Sequence, residues 1–339
     1  MIKINLKTGP WNLTDLKDVK KHNHTVFSCF HCGGGSTMGY KLAGYDVLGG
    51  VEIDPKMMDL YKVNHNPEHS YLMGVQKFKN IPDNELPKEL FDLDILDGSP
   101  PCSSFSMAGS REKKWGTASK FREGQAIQNL DDLFFDFIDI AKKLKPKIVV
   151  AENVKGLIQG NARGYVKQIF KEFKEAGYYC QLFLLNSSRM GVPQARERTF
   201  FIANLIDKKI KLDFNEKQIP LNKAIKEQPH KEDIKPNKKT IERWNKTKIG
   251  EFAKAKSGNT FGFMAKCSPY LPAPTQTASP RLYHWKTARP LNKYECIEIQ
   301  SFPQDYNFLN QKVVYVCGMS VPPFMMQRVA AQIYKQLLV

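Results

Sequence analysis

The sequence of 339 residues lacks any apolar run long enough to cross a membrane. Residues 1–7 also lack the extended apolar core of a secretory signal peptide. We therefore expect no membrane partner and a cytoplasmic location. The composition, 42% hydrophobic and 25% charged, is typical of a globular protein. The length is sufficient for one large domain and a smaller one.

Cysteines are few and follow no regular pattern. The seven are odd in number and widely scattered, so they do not form a disulfide framework. Cys29 and Cys32 have the spacing of a zinc or redox pair, and His22, His24 and His31 lie near them in the sequence. The second cysteine pair of a zinc site is missing, however, so we expect no bound metal.

Acidic residues are scarce relative to basic ones. The chain has 51 Lys and Arg but 34 Asp and Glu, a net charge of +17. Residues 205–289 hold 19 of the basic and 8 of the acidic residues, which places +11 of this charge in a quarter of the chain. Such an excess indicates a polyanionic partner, with nucleic acid first. A lysine-rich composition without functional meaning is the alternative.

Strand-like and helix-like segments alternate through the first 204 residues. A strand at residues 25–30 leads through a glycine turn and a short helix, ended by Gly44, to a second strand that ends at Glu52. Asp54 then caps a helix with Pro55 in its first turn. This order predicts an α/β fold with a doubly wound, mostly parallel sheet. Further strands are predicted at residues 91–97, 147–152, 178–185 and 199–203, and further helices at residues 126–143, 163–176 and 323–338.

The pattern changes after residue 204. Apolar periodicity fades, Lys and Asn become frequent, and prolines cluster between residues 269 and 280. Regular patterning returns near Asn292. We therefore predict a large domain at residues 1–204, a smaller domain of irregular structure at 205–290, and a return segment at 291–339 that completes the first domain.

Gly33, Gly34 and Gly35 form the turn after the first strand. Ligands of doubly wound sheets bind beyond the carboxyl ends of the strands, and glycine lets the backbone approach a ligand closely. The following helix offers free N–H groups, and Glu52 can bond two ribose hydroxyls. These residues predict a nucleoside cofactor, with a purely structural tight turn as the alternative.

Cys102 directly follows another predicted strand, in the run Asp97-Gly-Ser-Pro-Pro-Cys102. It should therefore lie at the same edge of the sheet. A lone cysteine in a proline-rich turn is more often an inert, buried thiol. Here two prolines fix the backbone ahead of the sulfur, and the polar residues 108–124 predict a mobile loop behind it. These surroundings favour a nucleophile.

Six segments resemble, in order, the motifs of the cytosine-C5 DNA methyltransferase family. They span most of the chain and leave only residues 205–285 uncovered, the part that varies in this family. The resemblance implies a Rossmann-like, class I methyltransferase fold, S-adenosylmethionine as cofactor and double-stranded DNA as substrate. The segments are Phe30-His-Cys-Gly-Gly-Gly35 with Gly39 and Ala43-Gly-Tyr45; Asp97-Gly-Ser-Pro-Pro-Cys102; Ala151-Glu-Asn-Val154; Gln194-Ala-Arg-Glu-Arg198; Arg289-Pro-Leu291 with Glu295 and Phe302-Pro303; and Gly318-Met-Ser-Val-Pro-Pro323.

The resemblance implies covalent catalysis by Cys102. Its thiolate would add to C6 of a cytosine flipped out of the helix, so that C5 can attack the methyl group of the cofactor. Glu152 would hold N3 and the exocyclic amine of the base. Arg198, with Arg196 close by, would orient the base and balance charge. The alternatives are an ordinary strand-end carboxylate for Glu152 and a surface or phosphate-binding pair for the two arginines.

The implied cofactor and base sites share one edge of the sheet. Phe30 would pack on the adenine, Glu52 would bond the ribose, and Leu133 would line the pocket. Pro100 would present its carbonyl to the cytosine amine, with Pro101 and Asn153 beside the base. The predicted cofactor set is Phe30, Cys32, Gly33, Gly34, Gly35, Glu52, Ile53, Gly74, Pro100, Leu133, Ser320 and Val321.

The basic segment at residues 205–290 is the implied target-recognition domain. Its lysines and arginines would contact phosphates, and a few polar side chains would read base edges in the major groove. Thr275, Gln276, Thr277 and Arg281 are the candidates for reading a short target site. By resemblance the protein acts as a monomer, and a cognate restriction endonuclease is a possible functional partner without physical contact.

Four positions depart from the family pattern. Ser28 stands where the first motif often has an acid, and Cys32 stands where it has glycine. Gly74 stands where an Asp usually contacts the adenine amine, and Met319 replaces an Asn in the last motif. Two alternatives stay open: a tRNA cytosine-C5 methyltransferase on the same scaffold, although its characteristic Cys-Phe-Thr segment is absent, and a non-catalytic DNA-binding protein with a decayed cofactor site.

Overall fold

The computed structural model describes most of the chain. Two sequence predictions, the nucleophile Cys102 and the mobile loop at 108–124, lie outside the described residues, as does the start of the predicted helix at 126–143. No helix in the described part of the chain is long and apolar enough to cross a membrane. The described residues are 4–101, 132–159, 163–225, 235–253 and 264–339.

Seven strands form a central sheet, and β7 stands apart from it. The strands of this part of the chain are β1 (Thr25–Cys29), β2 (Asp46–Glu52), β3 (His69–Leu72), β4 (Ile95–Gly98), β5 (Ile148–Val154), β6 (Tyr179–Asn186), β7 (Gln194–Ala195) and β8 (Glu197–Asn204). The sheet order is β3-β2-β1-β4-β5-β8-β6, with β8 antiparallel to both of its neighbours and the other pairs parallel. This confirms the predicted α/β class. The chain leaves β1 toward β2 on one side and later returns as β4 on the other, so a topological switch point lies between β1 and β4.

Helices cover both faces of the sheet. Successive side chains of a strand enter two different cores on opposite faces of the sheet. Val26 belongs to the core with α1, α9 and α10, and Phe27 belongs to the core with α3, α4 and α5. A strand buried on both faces needs apolar residues at successive positions, which explains the nearly continuous apolar runs of β1, β4 and β5. The helices are α1 (Gly35–Ala43), α2 (Pro55–His65), α3 (Val75–Phe78), α4 (Leu133–Leu144), α5 (Arg163–Glu175), α6 (Leu221–Ala224), α7 (Lys238–Lys246), α8 (Lys293–Ile299), α9 (Val313–Met319) and α10 (Pro323–Ile333).

Short helical turns complete the chain. Those with 3-10 geometry are at Leu13–Asp18, Asp83–Glu85, Lys88–Phe91, Lys155–Ile158 and Ser187–Arg189. The closing helix predicted at 323–338 is α10 followed by a π-helical turn at Tyr334–Leu338.

The predicted helix ends match their capping residues. The Asp54 side chain accepts a hydrogen bond from Lys56 N at 2.9 Å and caps α2, with Pro55 as its first residue. Gly44 ends α1 with φ of 97°, a conformation that costs glycine little. Asn292 caps α8 in a capping box with Glu295. Local side-chain chemistry therefore sets these boundaries.

The strand predicted at residues 91–97 begins later than the pattern indicated. β4 starts at Ile95, and Lys88–Phe91 forms a 3-10 turn after Pro87. The turn buries Leu90 and leaves Phe91 partly exposed. Phe91 and Leu93 had suggested strand alternation, but Leu90 and Leu93 are the side chains that reach the core.

A small second core lies after residue 218. It contains Trp285 and Cys267, and α8 contributes Cys296 and Ile299 to it. Lys266 Nζ lies 3.4 Å from the centroid of the Trp244 ring, a cation–π contact between α7 and β9. Regular structure among the described residues here is limited to α6, α7 and the two-residue strands β9 (Ala265–Lys266), β10 (Ala273–Pro274) and β11 (Leu282–Tyr283). We call this part the small lobe.

The segment between β8 and the small lobe packs on the large domain. Ile210 belongs to the core beneath α10, and its N–H donates to Gln181 Oε1 at 2.8 Å. Glu216 accepts two hydrogen bonds from the buried Arg328 guanidinium, at 2.9 and 3.0 Å. The division at residues 204 and 290 stays a prediction, and these contacts favour a start of the small lobe nearer Gln218.

Gly39 tests the packing of α1 against α10. A Cβ at this position would lie 2.7 Å from the Pro323 carbonyl oxygen and would also overlap Met326. We expect Gly39→Ala to destabilise the protein by about 1–3 kcal/mol, measured by urea unfolding, because neither backbone can move freely. Gly164→Ala in α5 is the matched control: no atom lies within 4 Å of its Cβ, so stability should be unchanged or slightly raised. Equal effects of the two substitutions would contradict this packing.

Candidate active site

A cavity of about 440 Å³ opens at the carboxyl edge of the sheet. The ends of β1, β2, β4 and β5 contribute to its wall, and so do residues 275–281 of the small lobe. The residues predicted for cofactor, base and target recognition therefore meet at one place. Those that line the cavity are Phe30, Cys32, Glu52, Ile53, Gly74, Pro100, Pro101, Leu133, Glu152, Asn153, Arg196, Arg198, Thr275, Gln276, Thr277 and Arg281.

Glu52 ends β2 and binds the turn that follows β1. Its Oε1 accepts from the N–H groups of Ile53 (2.8 Å) and Asp54 (2.9 Å), and its Oε2 accepts from that of Cys32 (3.0 Å). Burial raises the pKa of this carboxyl group, while the three donors favour its charged form. A carboxylate has about four lone-pair sites, so Oε2 keeps capacity for a further donor such as a ribose hydroxyl.

The turn after β1 has an unusual backbone. Phe30 and Cys32 both have positive φ, 58° and 47°. Non-glycine residues in this region cost of order 1–3 kcal/mol each and persist only where the surroundings hold them. Here the N–H of Phe30 donates to Val51 O at 2.9 Å, and that of Cys32 donates to Glu52. The strained turn brings both side chains to the wall of the cavity.

The three glycines allow close packing within the protein. A Cβ on Gly33 would lie 2.6 Å from Val316 Cγ1, and one on Gly34 would overlap the His65 ring. A Cβ on Gly35 would overlap the Val321 carbonyl oxygen. Gly33 and Gly34 do not line the large cavity. These glycines make room for α2 and the C-terminal segment, and the cofactor contacts predicted for them stay a prediction.

Glu152 and Arg198 form a buried pair in the wall of the cavity. Arg198 Nε lies 2.9 Å from Glu152 Oε1, at an angle outside hydrogen-bond geometry, so the contact is an ion pair. The antiparallel pairing of β5 with β8 brings the two side chains together. Burial lowers the pKa of Arg198, and the neighbouring carboxylate opposes that shift. The pair can present a carboxylate to a ligand without leaving an isolated buried charge.

Asn153 supports the loop that precedes Cys102. Its Nδ2 donates to the Pro100 carbonyl at 3.0 Å, and its Oδ1 accepts from the N–H of Val154 at 2.8 Å. Pro100 and Pro101 line the cavity. The loop is thus held from β5 at the point where the described chain stops before Cys102.

Arg196 lines the cavity and joins three parts of the chain. Its Nη1 donates to the Gln276 carbonyl at 2.9 Å, and its Nη2 donates to the Gly318 carbonyl at 3.0 Å. The side chain is 3% exposed, and burial lowers its pKa. Both Nη groups are used by the protein, so this geometry makes Arg196 a positioning residue. The catalytic role predicted for it stays untested.

The residues predicted to recognise the target differ in how their side chains are hydrogen-bonded within the described part of the chain. Thr275 Oγ1 donates to Ala195 O at 2.9 Å, and the N–H of Gln276 donates to Gln194 Oε1 at 3.0 Å, both next to the β7–β10 pairing. Thr277 Oγ1 donates to Ser279 O at 3.2 Å. Both amide atoms of Gln276 are buried without a hydrogen-bond partner. The backbone of this segment is thus anchored, and the Gln276 amide retains its hydrogen-bonding capacity.

Comparison with known proteins now decides the family. The family model of the C-5 cytosine-specific DNA methylases matches residues 24–335 of this chain. The chain belongs to the C-5 cytosine-specific DNA methylase family. This methylase is 28% identical over 344 residues to the Type II methyltransferase M1.HphI of Haemophilus parahaemolyticus, an alignment covering 92% of this chain and 87% of the relative. It is 34% identical over 181 residues to M.FnuDI of Fusobacterium nucleatum, covering 52% of this chain and 46% of that protein.

Solved structures share the fold of this methylase. A DNA modification methyltransferase encoded within an E. coli prophage superposes with a TM-score of 0.70 at 20% identity, over 94% of this chain and all of the other. DNMT2 of Spodoptera frugiperda superposes with a TM-score of 0.64 at 17% identity, over 92% of this chain and all of the other. The seven-stranded, mostly parallel sheet is therefore the class I architecture of C5 methyltransferases.

One departure of this methylase from its family has a neighbour in the structure. Ser28 Oγ donates to Asp97 Oδ2 at 2.8 Å, and the two residues are paired in register across β1 and β4. Sequence reasoning treated Asp97 only as the start of the Cys102 motif. The feature of the sequence that pointed to Asp97 was a carboxylate within the otherwise apolar strand β4. Asp97 lines a second cavity of about 20 Å³ together with Gly35, Ser320 and Val321, residues predicted for the cofactor.

A second departure is filled by a nearby side chain. A Cβ on Gly74 would lie 2.7 Å from Gln76 Oε1. The amide of Gln76 therefore occupies the space into which the Asp expected at position 74 would project. Met319, at the third departure, lines both cavities, and Tyr315 lines the large one.

Cys29 and Cys32 belong to no cluster of three potential metal ligands among the described residues. Cys29 is buried, and burial raises the pKa of its thiol. The Cys32 sulfur lies 3.6 Å from the Met57 sulfur. In the described residues one surface group, Glu68, His69 and Glu89, has ligand atoms close enough to share an ion. Exposed acidic groups of this kind are common without one.

The raised pKa of Asp97 predicts how the stability of the protein depends on pH. Burial raises the pKa from 3.8 to about 7, so folding takes up a proton, and stability from this group falls as pH rises from about 4 to about 7. Asp97→Asn removes this loss. We expect the melting temperature of the ligand-free variant, relative to that of the wild type, to increase as the pH is raised from 5 to 8. The corresponding gain in the free energy of unfolding is at most about 4 kcal/mol. A difference that does not change with pH would contradict the buried charge.

Proposed function

We propose that this chain is a DNA (cytosine-5)-methyltransferase that transfers a methyl group from S-adenosylmethionine to C5 of a flipped-out cytosine in a short, specific DNA sequence. The observation that carries the proposal is the shared cavity. Glu152 and Arg198, Glu52 and Phe30, and the recognition segment at residues 275–281 all face it. A cytoplasmic location, together with the cell's DNA, follows from this substrate.

The residues of the cavity suit the methyl donor. Phe30, Ile53 and Leu133 offer apolar surface for an adenine, and Glu52 Oε2 has capacity for a ribose hydroxyl. The Gln76 amide stands in for the missing Asp near Gly74 as a partner for the adenine amine. When bound, S-adenosylmethionine supplies an electrophilic methyl group. The protein's own residues supply the remaining chemistry.

Cys102 acts as the nucleophile in the proposed mechanism. Its thiolate would form a bond to C6 of the cytosine, and the electron pair displaced from the C5–C6 double bond would let C5 take the methyl group, with the S–CH3 bond broken and S-adenosylhomocysteine left as the product. A base, water in the simplest case, then removes the C5 proton, and the electron pair expels the thiolate. The Pro100 carbonyl, held by Asn153, would accept from the exocyclic amine of the cytosine.

Glu152 is the proposed partner of N3. As the thiolate adds to C6, negative charge develops on the ring, and a proton held between Glu152 and N3 neutralises it. Arg198 keeps Glu152 in place through the 2.9 Å ion pair and supplies positive charge to the site. Arg196 also lines the cavity and adds a second guanidinium to it, and a positive charge close to a thiol would favour its thiolate form.

The small lobe is the proposed target-recognition domain, within a net charge of +11 over residues 205–289. Its basic side chains would contact phosphates. Gln276, whose amide has no hydrogen-bond partner among the described residues, and Arg281 are the strongest candidates to contact bases. The relatives M1.HphI and M.FnuDI are Type II methyltransferases, so a restriction endonuclease of the same system is a proposed functional partner. A monomer is proposed as the acting form.

Substitution of Cys102 tests the nucleophile. Bisulfite sequencing of DNA from cells that express the chain first identifies the target sequence. Transfer of labelled methyl groups to that duplex should fall by more than about 1,000-fold in Cys102→Ala, because no other group can activate C5. A 5-fluorocytosine duplex should form a covalent complex with the wild type, seen on a denaturing gel, and none with the variant.

Cys180→Ala is the matched control for this test. Cys180 lies on β6, outside the lining of the cavity, and transfer should be retained. Full activity of Cys102→Ala would rule out the mechanism. Labelling of tRNA in place of duplex DNA would assign the chain to the tRNA methyltransferase alternative, and labelling of neither would favour a non-catalytic DNA-binding protein.

Substitution of Glu152 tests the proton partner. Glu152→Gln should lower kcat by roughly 100- to 10,000-fold, the usual range for a lost general acid or base. Glu197→Gln is the control, since Glu197 is one residue from Arg198 but forms a surface ion pair with Lys155 at 2.8 Å. Single-turnover methyl transfer measures both. Similar rates for the two variants would show that Glu152 is an ordinary strand-end carboxylate.

A further inference from the structure

Asp97 is a buried acid at the topological switch point. It is the third residue of β4, pairs in register with Ser28 of β1, and is 2% exposed. Ligands of doubly wound sheets bind at this crevice, where the chain leaves in opposite directions. The mechanism proposed above makes no use of this carboxyl group.

The donors around Asp97 are uncharged. Ser28 Oγ donates to it at 2.8 Å and Tyr40 OH at 3.2 Å, and the nearby Ser36 hydroxyl also lowers its pKa. Among the described residues, Asp97 forms no ion pair with Lys or Arg, and the nearby charged group Glu152 is of the same sign. A buried carboxylate without a counter-ion is unfavourable, so a cation that arrives with a ligand would relieve it.

The space beside Asp97 leads to the proposed cofactor site. The 20 Å³ cavity shares Phe30, Cys32, Ser99 and Met319 with the large cavity. It is large enough for one water molecule or for a group of similar size, such as an ammonium. A ligand whose nucleoside part contacts Phe30 and Glu52 can therefore place a small cationic head next to Asp97.

We propose that Asp97 binds the α-ammonium group of the methyl donor and so replaces, from β4, the acid that this chain lacks at Ser28 on β1. The inference rests on the proposed function. Asp97 is then a positioning and affinity residue for the amino-acid end of the ligand. It takes no part in the bond changes at the cytosine.

A purely structural role is the competing account. Asp97 lines the same small cavity as Ser36, which lies in the first turn of α1, and a carboxylate near the start of a helix is favourable without any ligand. The two accounts differ in one measurable respect: only a ligand contact depends on whether the ligand carries an ammonium group.

Calorimetric titration of the full chain with two ligands separates them. The probes are S-adenosylhomocysteine and its analogue without the α-amino group. Asp97→Asn should weaken the binding of S-adenosylhomocysteine by roughly 10- to 100-fold, the effect of one lost hydrogen bond to a charged group. Binding of the analogue should change by less than about 3-fold. Equal losses for both ligands, or no loss for either, would overturn the inference.

Two further variants complete the design. Asp94→Asn changes another buried Asp just before β4, paired with Lys147 at 2.7 Å, and should leave the preference for the amino ligand intact. The exchange variant Ser28→Asp with Asp97→Ser moves the acid back to β1 and should recover most of that preference. If Asp97→Asn does not fold, the exchange variant decides, and loss of the preference there overturns the inference. A wild type that binds neither ligand would overturn the proposed function itself.

Discussion

The close approach of the glycine turn to the C-terminal segment is the constraint on which the site depends. Side chains at residues 33, 34 and 35 would overlap Val316, His65 and the Val321 backbone. Their absence lets the last part of the chain return to the end of β1. The first and last motifs of the family are therefore neighbours in space because of packing inside the protein. The proposed cofactor site lies where that packing ends.

Charge is the second constraint on this edge of the sheet. Glu52, Asp97 and Glu152 are all buried within the same region, and the protein stabilises the negative charge of each one differently. Glu52 is stabilised by three backbone N–H groups and Glu152 by the Arg198 ion pair. Asp97 has hydroxyl donors alone among the described residues, which is why burial raises its pKa to about 7. A charged ligand gains the most binding free energy next to a buried charge of opposite sign that the protein itself does not neutralise.

The sequence was sufficient to predict the fold class and to place candidate site residues at one edge of the sheet. Strand alternation, the Asp54 cap and the Gly44 helix end depend on local chemistry, so each could be predicted from neighbouring residues. Parallel strands share a carboxyl edge, so residues such as Glu52 and Glu152, a hundred positions apart, could be placed together from topology alone. The start of β4 was predicted too early because Phe91 and Leu93 imitate strand alternation across a 3-10 turn.

Contacts across strands and between lobes could not be predicted in this way. The sequence places Arg196 in a motif, but the Gln276 and Gly318 carbonyls that its guanidinium binds lie 80 and 122 positions away. Likewise, no spacing rule pairs Ser28 with Asp97. A single sequence records which residues are present, and partners of this kind follow only from strand register and the path of the backbone.

Arg196 connects the two constraints. One guanidinium holds the carbonyl of Gln276 in the recognition segment and the carbonyl of Gly318 in the segment that packs on the glycine turn. Gly318 has no room for a side chain because Thr277 lies against it. The backbone that faces the base and the backbone that closes the cofactor site are thus fixed to each other through one buried cation. A loss of Arg196 would leave two buried carbonyls without their donors, and both halves of the cavity would shift together.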